Sequence, residues 1–267
     1  MNNFLADVLP QEGGLVASPS RSYNATIAIG GLLAALGLAA GLHSMYAGHE
    51  HTFGVTRDVP WGLLIAAYVF FVVSSTGLCL VSSIGHVFGV EAFKPIAKRS
   101  VFMAIVTIVA GFFVIGFEIE NPWRMPIYNM LSPNPTSNIW WMGTLYGAYL
   151  FFMVVEFALL QMGKHKLAGM LGLAGVVSGI AAHSNLGAVF GLLGGREFWH
   201  GPYMPIYFIT SAMMSGCAAV IFFHCLGYRA NGWKMSEKLE ESLMATAKLG
   251  ATLIAVIMFF TTWKMIS

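Results

Sequence analysis

Seven long runs of apolar residues, separated by short polar segments, make up most of this 267-residue chain. Each run is close to the roughly 20 residues that an α-helix needs to cross the hydrocarbon core of a bilayer. None of the runs alternates with the period of two that a membrane β-barrel requires. The pattern therefore predicts an all-α polytopic membrane protein, a bundle of about seven transmembrane helices. The predicted spans are Tyr23–Ala47, Trp61–Val87, Ser100–Ile119, Ile139–Gln161, Leu167–Gly187, Tyr203–Gly227 and Leu243–Trp263.

Two shorter segments complete the predicted organisation. Residues 1–22 lack a basic region followed by a short apolar core, so they do not read as a secretory signal peptide. We expect them to form a cytoplasmic N-terminal segment, followed by a single transmembrane domain over residues 23–267. The apolar stretch Ala188–Gly195 is too short to span a bilayer, and we expect an interfacial or re-entrant segment there.

Composition supports a membrane protein and excludes several function classes. Hydrophobic residues make up 57% of the chain and charged residues only 10%, whereas soluble domains average about 25% charged residues. The basic residues are dispersed, which argues against nucleic acid as a partner. The long apolar runs predict that membrane lipid surrounds the chain. Phosphate-binding loops, dinucleotide fingerprints and HExxH zinc motifs do not occur, so nucleotide hydrolysis and zinc proteolysis have no support.

The basic residues of the loops predict the orientation. Arg21 and three loops lie on one side of the membrane. The three loops carry eight lysines and arginines: Lys94, Lys98, Arg99, Lys164, Lys166, Arg229, Lys234 and Lys238. The opposite side carries Arg57, Arg124, Arg196 and, at the end of the chain, Lys264. Because positive loops stay in the cytoplasm, the N-terminus is predicted to be cytoplasmic and, with seven spans, the C-terminus to lie outside.

Glu118, Glu156 and His183 lie inside the apolar runs, where a charge costs roughly 2.5 kcal/mol or more. The predicted orientation places Glu118 and His183 near the outer ends of their spans, at about the same depth as Tyr68. A histidine, a tyrosine and a carboxylate can exchange protons and hydrogen bonds with a ring carbonyl, as quinone chemistry requires. A headgroup contact for Glu118 and a structural hydrogen bond for His183 are the alternatives.

A second polar set lies deeper or on the cytoplasmic side. Glu156 is in the middle of the fourth run, His86 ends the second and His224 is near the inner end of the sixth. A proton relay and a structural ion pair would both explain Glu156. We expect the proton path to include Glu156, Glu118, His86 and His224.

The cysteines point away from a metal centre. Cys79, Cys217 and Cys225 are dispersed through apolar runs, whereas iron–sulfur clusters need four grouped thiolates. We therefore predict no metal site, and no haem or iron–sulfur cluster bound by this chain.

Three segments in order carry a resemblance to a known family. PWGLLIAAYVFFVVSSTG, PNPTSNIWWMG and HSNLGAVFGLLGGREFWHGP resemble the membrane subunits of the polysulfide reductase, NrfD-like family, over a shared core of about residues 59–227. The resemblance implies a quinone-binding subunit, with menaquinone or ubiquinone as the cofactor. It would pass electrons between that quinone and the iron–sulfur cluster of a partner. It also implies a bacterial or archaeal cytoplasmic membrane.

The resemblance implies partners and site residues as well. The expected partner is a ferredoxin-like iron–sulfur subunit on the extracytoplasmic face, with a molybdopterin catalytic subunit or a multihaem cytochrome c beyond it. Tyr68, His183 and Glu118 match quinone-site positions, and Trp61 and Trp199 lie in the matching motifs. We take these five residues as the predicted quinone-binding set.

The chain also departs from the family pattern. Gly111 stands where some members have an acidic residue in the third span, which leaves Glu156 to carry protons. The first span precedes the shared core, as in longer members. Because members have eight to ten spans and this chain ends soon after its seventh, we expect further spans beyond Ser267.

Two other functions remain open from the sequence. A haem-b cytochrome needs paired histidines on facing helices, for which His86 with His224, or His43 with His183, are the candidates. An ion-coupled transporter would use Glu156 to bind its ion, although the seven spans show no convincing internal repeat.

Overall fold

Seven long helices form the bundle in the computed structural model, which describes residues 11–12, 15–16, 19–54, 56, 61–119 and 121–266. All seven are long and apolar enough to cross a membrane. The predicted all-α polytopic fold is therefore confirmed. Much of the predicted N-terminal segment, residues 1–22, lies outside the described residues; two two-residue strands, β1 (Gln11–Glu12) and β2 (Leu15–Val16), pair there in antiparallel fashion.

The helices follow the predicted spans closely. In chain order the long helices are α1 (Arg21–Ala47), α3 (Leu63–His86), α4 (Lys94–Glu118), α6 (Asn138–Gln161), α7 (His165–Gly191), α8 (Tyr203–Asn231) and α9 (Glu237–Ile266). Two short helices, α2 (His49–Phe53) and α5 (Arg124–Leu131), lie between them, and a 3-10 turn at Glu91–Phe93 precedes α4.

Several helix boundaries differ from the predicted ones; α8 ends at Asn231 rather than Gly227, and α9 begins at Glu237 rather than Leu243. Helix α4 begins at Lys94 rather than Ser100, because Pro95 suits a first helical turn, where no backbone N–H is needed. Helix α7 continues to Gly191, so the first half of the expected interfacial or re-entrant segment at Ala188–Gly195 is the last turn of that helix. At the start of α9, the Ser236 side chain accepts a hydrogen bond from Leu239 N at 3.4 Å, as expected of a cap.

Helix α3 is the centre of the bundle. It packs against α4, α7 and α8, and the most extensive pairs are α3 with α4 and α6 with α7. At the crossing of α3 and α8, a Cβ on Gly77 would lie 1.8 Å from Ala212 O, and one on Gly216 would lie 2.1 Å from the Gly77 carbonyl carbon. Small residues thus let the two backbones touch, as is common in membrane bundles.

The first and last helices lie at the periphery. Only Gly41 and Ser44 of α1 are buried, and α9 buries five residues near its start: Leu239, Ser242, Leu243, Thr246 and Gly250. Glu118, Glu156 and His183 are in the central helices instead. Glu118 and His183 lie towards one end of the bundle, which we call the cavity end. Glu156 lies towards the opposite end, which we call the far end.

Candidate functional site

A cavity of about 560 Å³ opens at one end of the bundle, where four long helices and α5 meet. Its volume is typical of a small-molecule site, roughly 300–1,000 Å³. Most of the wall is apolar, and a few hydroxyl and amide groups interrupt it. The wall combines Trp61, Ile65, Tyr68 and Val69 of the α3 region, Phe112, Ile115 and Ile119 of the α4 region, Met125, Tyr128, Asn129 and Ser132 around α5, Ser137, Ile139, Trp140, Met142, Gly143 and Tyr146 of the α6 region, and Leu186, Val189 and Phe190 of α7.

Two tyrosines supply the deepest polar groups of the cavity. Tyr68 and Tyr146 are almost fully buried, yet both line the cavity wall. Among the residues that the structure describes, the Tyr68 hydroxyl has no protein partner. A buried hydroxyl costs free energy unless it is hydrogen-bonded. Tyr68 is therefore free to donate to, or accept from, a molecule in the cavity.

His183 lies behind Tyr146 rather than in the cavity wall. Its Nδ1 is 3.0 Å from the Tyr146 hydroxyl, and the two rings meet edge to face with centroids 5.8 Å apart. The imidazole is 0% exposed, and its Nε2 has no partner among the described residues. His183 can thus reach a molecule in the cavity through Tyr146, by passing a proton along this hydrogen bond.

The two predicted tryptophans meet at one aromatic side chain. Phe190 packs edge to face with Trp61 at 5.3 Å and with Trp199 at 5.5 Å, and it also contacts Phe208. Trp61 lines the cavity, whereas Trp199 supports Phe190 from outside it. Sequence alone did not single out Phe190.

Glu118 ends α4 at the cavity end of the bundle. Its neighbours Ile115 and Ile119 line the cavity, but Glu118 itself is half-buried and is not among the described lining residues. Of the five predicted quinone-binding residues, the structure therefore places Tyr68 and Trp61 in the cavity wall. His183 and Trp199 lie directly behind it, and Glu118 lies to one side.

Helix α5 covers the cavity and is tied to α6. Asn129 Nδ2 donates to Thr144 Oγ1 at 2.8 Å, and Trp140 Nε1 donates to Asn129 O at 2.8 Å. Sequence analysis singled out neither Asn129 nor Tyr146. A signal for Tyr146 does exist, because Tyr146, Tyr149, Met153, Glu156 and Leu160 form the buried stripe of α6 at helical spacing.

Glu156 and His86 meet at the far end of the bundle. Glu156 is 1% exposed, and its Oε1 pairs with His86 Nε2. His86 Nδ1 lies 3.0 Å from the Ser82 carbonyl oxygen, which can only accept, so Nδ1 carries a proton. A second proton must then be shared between the imidazole and the carboxyl group. The side chain of His86 is 14% exposed, which connects this pair to the surface.

Gly172 of α7 makes room for that pair. A Cβ at position 172 would lie 2.8 Å from Glu156 Oε1 and 2.9 Å from His86 Nε2. Three helices, α3, α6 and α7, thus enclose one imidazole–carboxyl pair. The structure favours the ion-pair interpretation of Glu156 and is compatible with a relay through the same two groups.

His224 does not join this pair. It is buried on α8, and its Nδ1 donates to Val220 O of its own helix at 2.7 Å. Its Nε2 has no partner among the described residues. Its expected place on a proton path therefore stays a prediction.

A third polar group lies between the two ends. The Tyr149 hydroxyl donates to Ser75 O at 3.1 Å and lies 3.0 Å from Ser75 Oγ, which donates to Ala104 O at 2.7 Å. The nearby Thr76 Oγ1 is buried without a partner among the described residues. Buried groups of this kind commonly bind internal water.

The histidine pairs of a haem site do not meet. His86 faces Glu156, whereas His224 bonds its own helix. His43 is exposed on peripheral α1, while His183 is enclosed beside Tyr146. In the described part of the chain, no three histidine, cysteine or acidic side chains group as metal ligands.

Known proteins resemble this chain over most of its length. A selenate reductase subunit of Mesobacillus selenatarsenatis is 25% identical, over 77% of this chain and 57% of its own. The Hdr-like menaquinol oxidoreductase integral membrane subunit of Archaeoglobus fulgidus is 26% identical, over 78% and 51%. A putative dimethyl sulfoxide reductase membrane subunit of Halobacterium salinarum is 25% identical, over 74% and 50%.

The chain spans about half the length of these relatives. The family model described as polysulphide reductase, NrfD, matches residues 52–265. That range includes every helix that contributes to the cavity and to the Glu156–His86 pair. This chain therefore belongs to the polysulphide reductase NrfD family of reductase membrane subunits.

Proposed function

We propose that this chain is the quinone-binding membrane subunit of a redox complex, and that the ring of menaquinone or ubiquinone binds in the cavity beside Tyr68 and Tyr146. The supporting observation is an apolar cavity whose deepest polar groups are one unpartnered tyrosine and one tyrosine backed by a histidine. A quinone ring needs apolar walls for its faces and hydrogen bonds for its two oxygens. The relative from Archaeoglobus fulgidus, named as a menaquinol oxidoreductase subunit, favours menaquinone.

The residues of the chain would handle the protons of the reaction. Oxidation of a quinol releases two electrons and two protons, and reduction of a quinone takes up the same number. At one ring oxygen, Tyr146 exchanges a proton with the ring while His183 Nδ1 exchanges one with Tyr146. At the other, the Tyr68 hydroxyl exchanges the second proton with the ring and passes it to water at the mouth of the cavity.

The electrons would pass to or from a partner. The chain offers no clustered thiolates, so the proposed acceptor or donor is the iron–sulfur cluster of a ferredoxin-like subunit. That subunit would dock on the extracytoplasmic face, above the cavity end, with a molybdopterin subunit or a multihaem cytochrome c beyond it. The names of the relatives as reductase subunits support such an assembly. The membrane would be the bacterial or archaeal cytoplasmic membrane, with the N-terminus inside.

Protons could also cross the bundle along its polar groups. The proposed path runs from the Tyr146–His183 pair past Tyr149 and Thr76 to Glu156 and His86. Tyr149 and Glu156 are seven residues apart on α6, about 10 Å along the axis, so internal water must bridge them. Glu118 would serve the cavity end of the path.

Removal of the tyrosine hydroxyls tests the proposed site. We expect Tyr68→Phe and Tyr146→Phe to weaken binding of a water-soluble menaquinone analogue about tenfold each, since a lost hydrogen bond to a ligand costs roughly 1.5 kcal/mol. Quenching of tryptophan fluorescence reports binding directly, because Trp61 and Trp140 line the cavity. Tyr46→Phe on exposed α1 is the matched control. Unchanged affinity in both cavity variants would remove the quinone from this site.

A further inference from the structure

The cavity shares part of its wall with a second, open space on the outside of the bundle. This groove, of about 710 Å³, is lined by Ile119, Asn121, Arg124, Met125, Tyr128 and Ile139. Four of the six, Ile119, Met125, Tyr128 and Ile139, also line the cavity. The two spaces are therefore separated by little more than these four side chains, which we call the shared wall.

The shared wall is loosely packed compared with the deep end of the cavity. Ile139 is 68% exposed and Tyr128 is 57% exposed, whereas Tyr146 at the deep end is 0% exposed. Side chains that are half or more exposed can change rotamer without disturbing a packed core. The cavity thus has one closed end, at Tyr146 and His183, and one weakly closed side.

The shared wall lies at the level where the long helices α4 and α6 end and begin. Ile119 directly follows α4, and Ile139 is the second residue of α6, so both mark the ends of spans. Helix α5 runs between them and exposes Ile127, Met130 and Leu131. An eight-residue helix with exposed apolar side chains at this depth is suited to the lipid interface.

Polar groups stand on both sides of the shared wall. Asn121 and Arg124 line the groove, and the Tyr68 and Tyr146 hydroxyls line the cavity, which also carries Asn129, Ser132 and Ser137. Between them the wall is formed largely by Ile119, Met125 and Ile139. An amphiphile with a polar head and a long apolar chain matches this order, with its head at the tyrosines and its chain across the shared wall.

We propose that the cavity opens sideways to the membrane across the shared wall, and that the groove holds the isoprenoid tail of the bound quinone; this rests on the proposed function. A tail of several isoprene units is longer than the cavity, so it must leave through an apolar side. The deep end is closed by the Tyr146–His183 pair. Helix α5 is anchored to α6 through Asn129, so the opening depends on rotation of the Met125, Tyr128 and Ile139 side chains rather than on movement of the helix.

Two ligands that share a ring test this proposal. Menadione carries the naphthoquinone ring without a tail, and a long-tailed menaquinone carries the same ring with one. The double variant Met125→Phe with Ile139→Phe adds bulk to the shared wall, and Met130→Phe adds it to an exposed position of α5 outside both spaces. Phenylalanine leaves the tryptophans unchanged, so fluorescence quenching can measure all affinities.

We expect the double variant to weaken binding of the tailed menaquinone about tenfold more than it weakens binding of menadione, with both affinities unchanged in Met130→Phe. Ile139→Ala, which widens the opening, should speed association of the tailed form severalfold more than association of menadione. Equal losses for both ligands, or no loss for the tailed form, would overturn the lateral opening. If the unmodified chain binds neither ligand, the proposed function itself fails.

Discussion

At the scale of single residues, the Glu156–His86 pair is the most demanding feature of the bundle. A carboxylate taken out of water costs several kcal/mol unless a partner shares its charge, and Glu156 is almost fully enclosed. His86 supplies that partner from a neighbouring helix, and Gly172 leaves the space for both. The ion pair thus links α3 to α6, and α7 packs against both groups at Gly172.

Removal of one partner should expose that cost. We expect His86→Ala to lower the stability of the purified protein by about 3 kcal/mol, because it leaves a buried carboxyl without its partner. The thermal unfolding of the detergent-solubilised protein measures this change. His43→Ala, on exposed α1, should leave unfolding unchanged.

A double replacement separates structure from proton transfer. His86→Phe with Glu156→Leu replaces the pair by apolar groups, and it should recover most of the stability lost in His86→Ala. Quinone reduction by the assembled complex in liposomes should then proceed without proton uptake from the His86 side. Full proton movement in the stable double variant would contradict a path through this pair.

At the scale of helices, backbone contact between α3 and α8 decides the shape of the core. Gly77 and Gly216 allow these helices to approach so closely that neither position has room for a methyl group. Helix α3 and the residues just before it supply Trp61 and Tyr68 at one end and His86 at the other. The placement of this helix therefore positions both polar sites at once.

A single added methyl group should disturb that contact. We expect Gly216→Ala to destabilise the bundle by roughly 2–3 kcal/mol, since overpacking forces helices apart. Gly227→Ala on the same helix is the matched control, because nothing lies within 4 Å of its Cβ position. Thermal unfolding compares the two variants, and equal midpoints would show that the α3–α8 contact is not limiting.

At the scale of the whole molecule, the two polar sites lie at opposite ends of one bundle. The cavity lies at the end formed by the starts of α3 and α6 and by the ends of α4 and α7. The Glu156–His86 pair lies towards the other end, where α3 terminates. Electron exchange at one face and proton exchange at the other would then be separated by the thickness of the bundle.

The orientation of the bundle can be measured by cysteine labelling. In a Cys225→Ser background, which removes the exposed native cysteine, we expect a membrane-impermeant maleimide to label Thr136→Cys in intact cells. Lys164→Cys should react only after permeabilisation, because the basic loops are predicted to be cytoplasmic. The reverse pattern would place the cavity on the cytoplasmic face.

The sequence anticipated individual chemical groups better than their contacts. It identified Tyr68, Glu156 and His183 as polar residues in apolar runs, and it left an ion pair and a proton relay open for Glu156. It did not identify His86 as the partner, nor Tyr146 as the link between His183 and the cavity. Both partners come from another helix, at sequence separations that no local pattern reports.

The seven helices follow from the amino-acid order without any tertiary information, because the need to satisfy backbone hydrogen bonds in lipid is local to each apolar run. Which helix faces meet became clear only from the packed bundle. In water an apolar stripe marks the buried face of a helix, but lipid is as apolar as the core, so that mark is absent here. Steric fit at Gly77 and Gly216, and the pairing of groups such as His86 and Glu156, selected the faces instead.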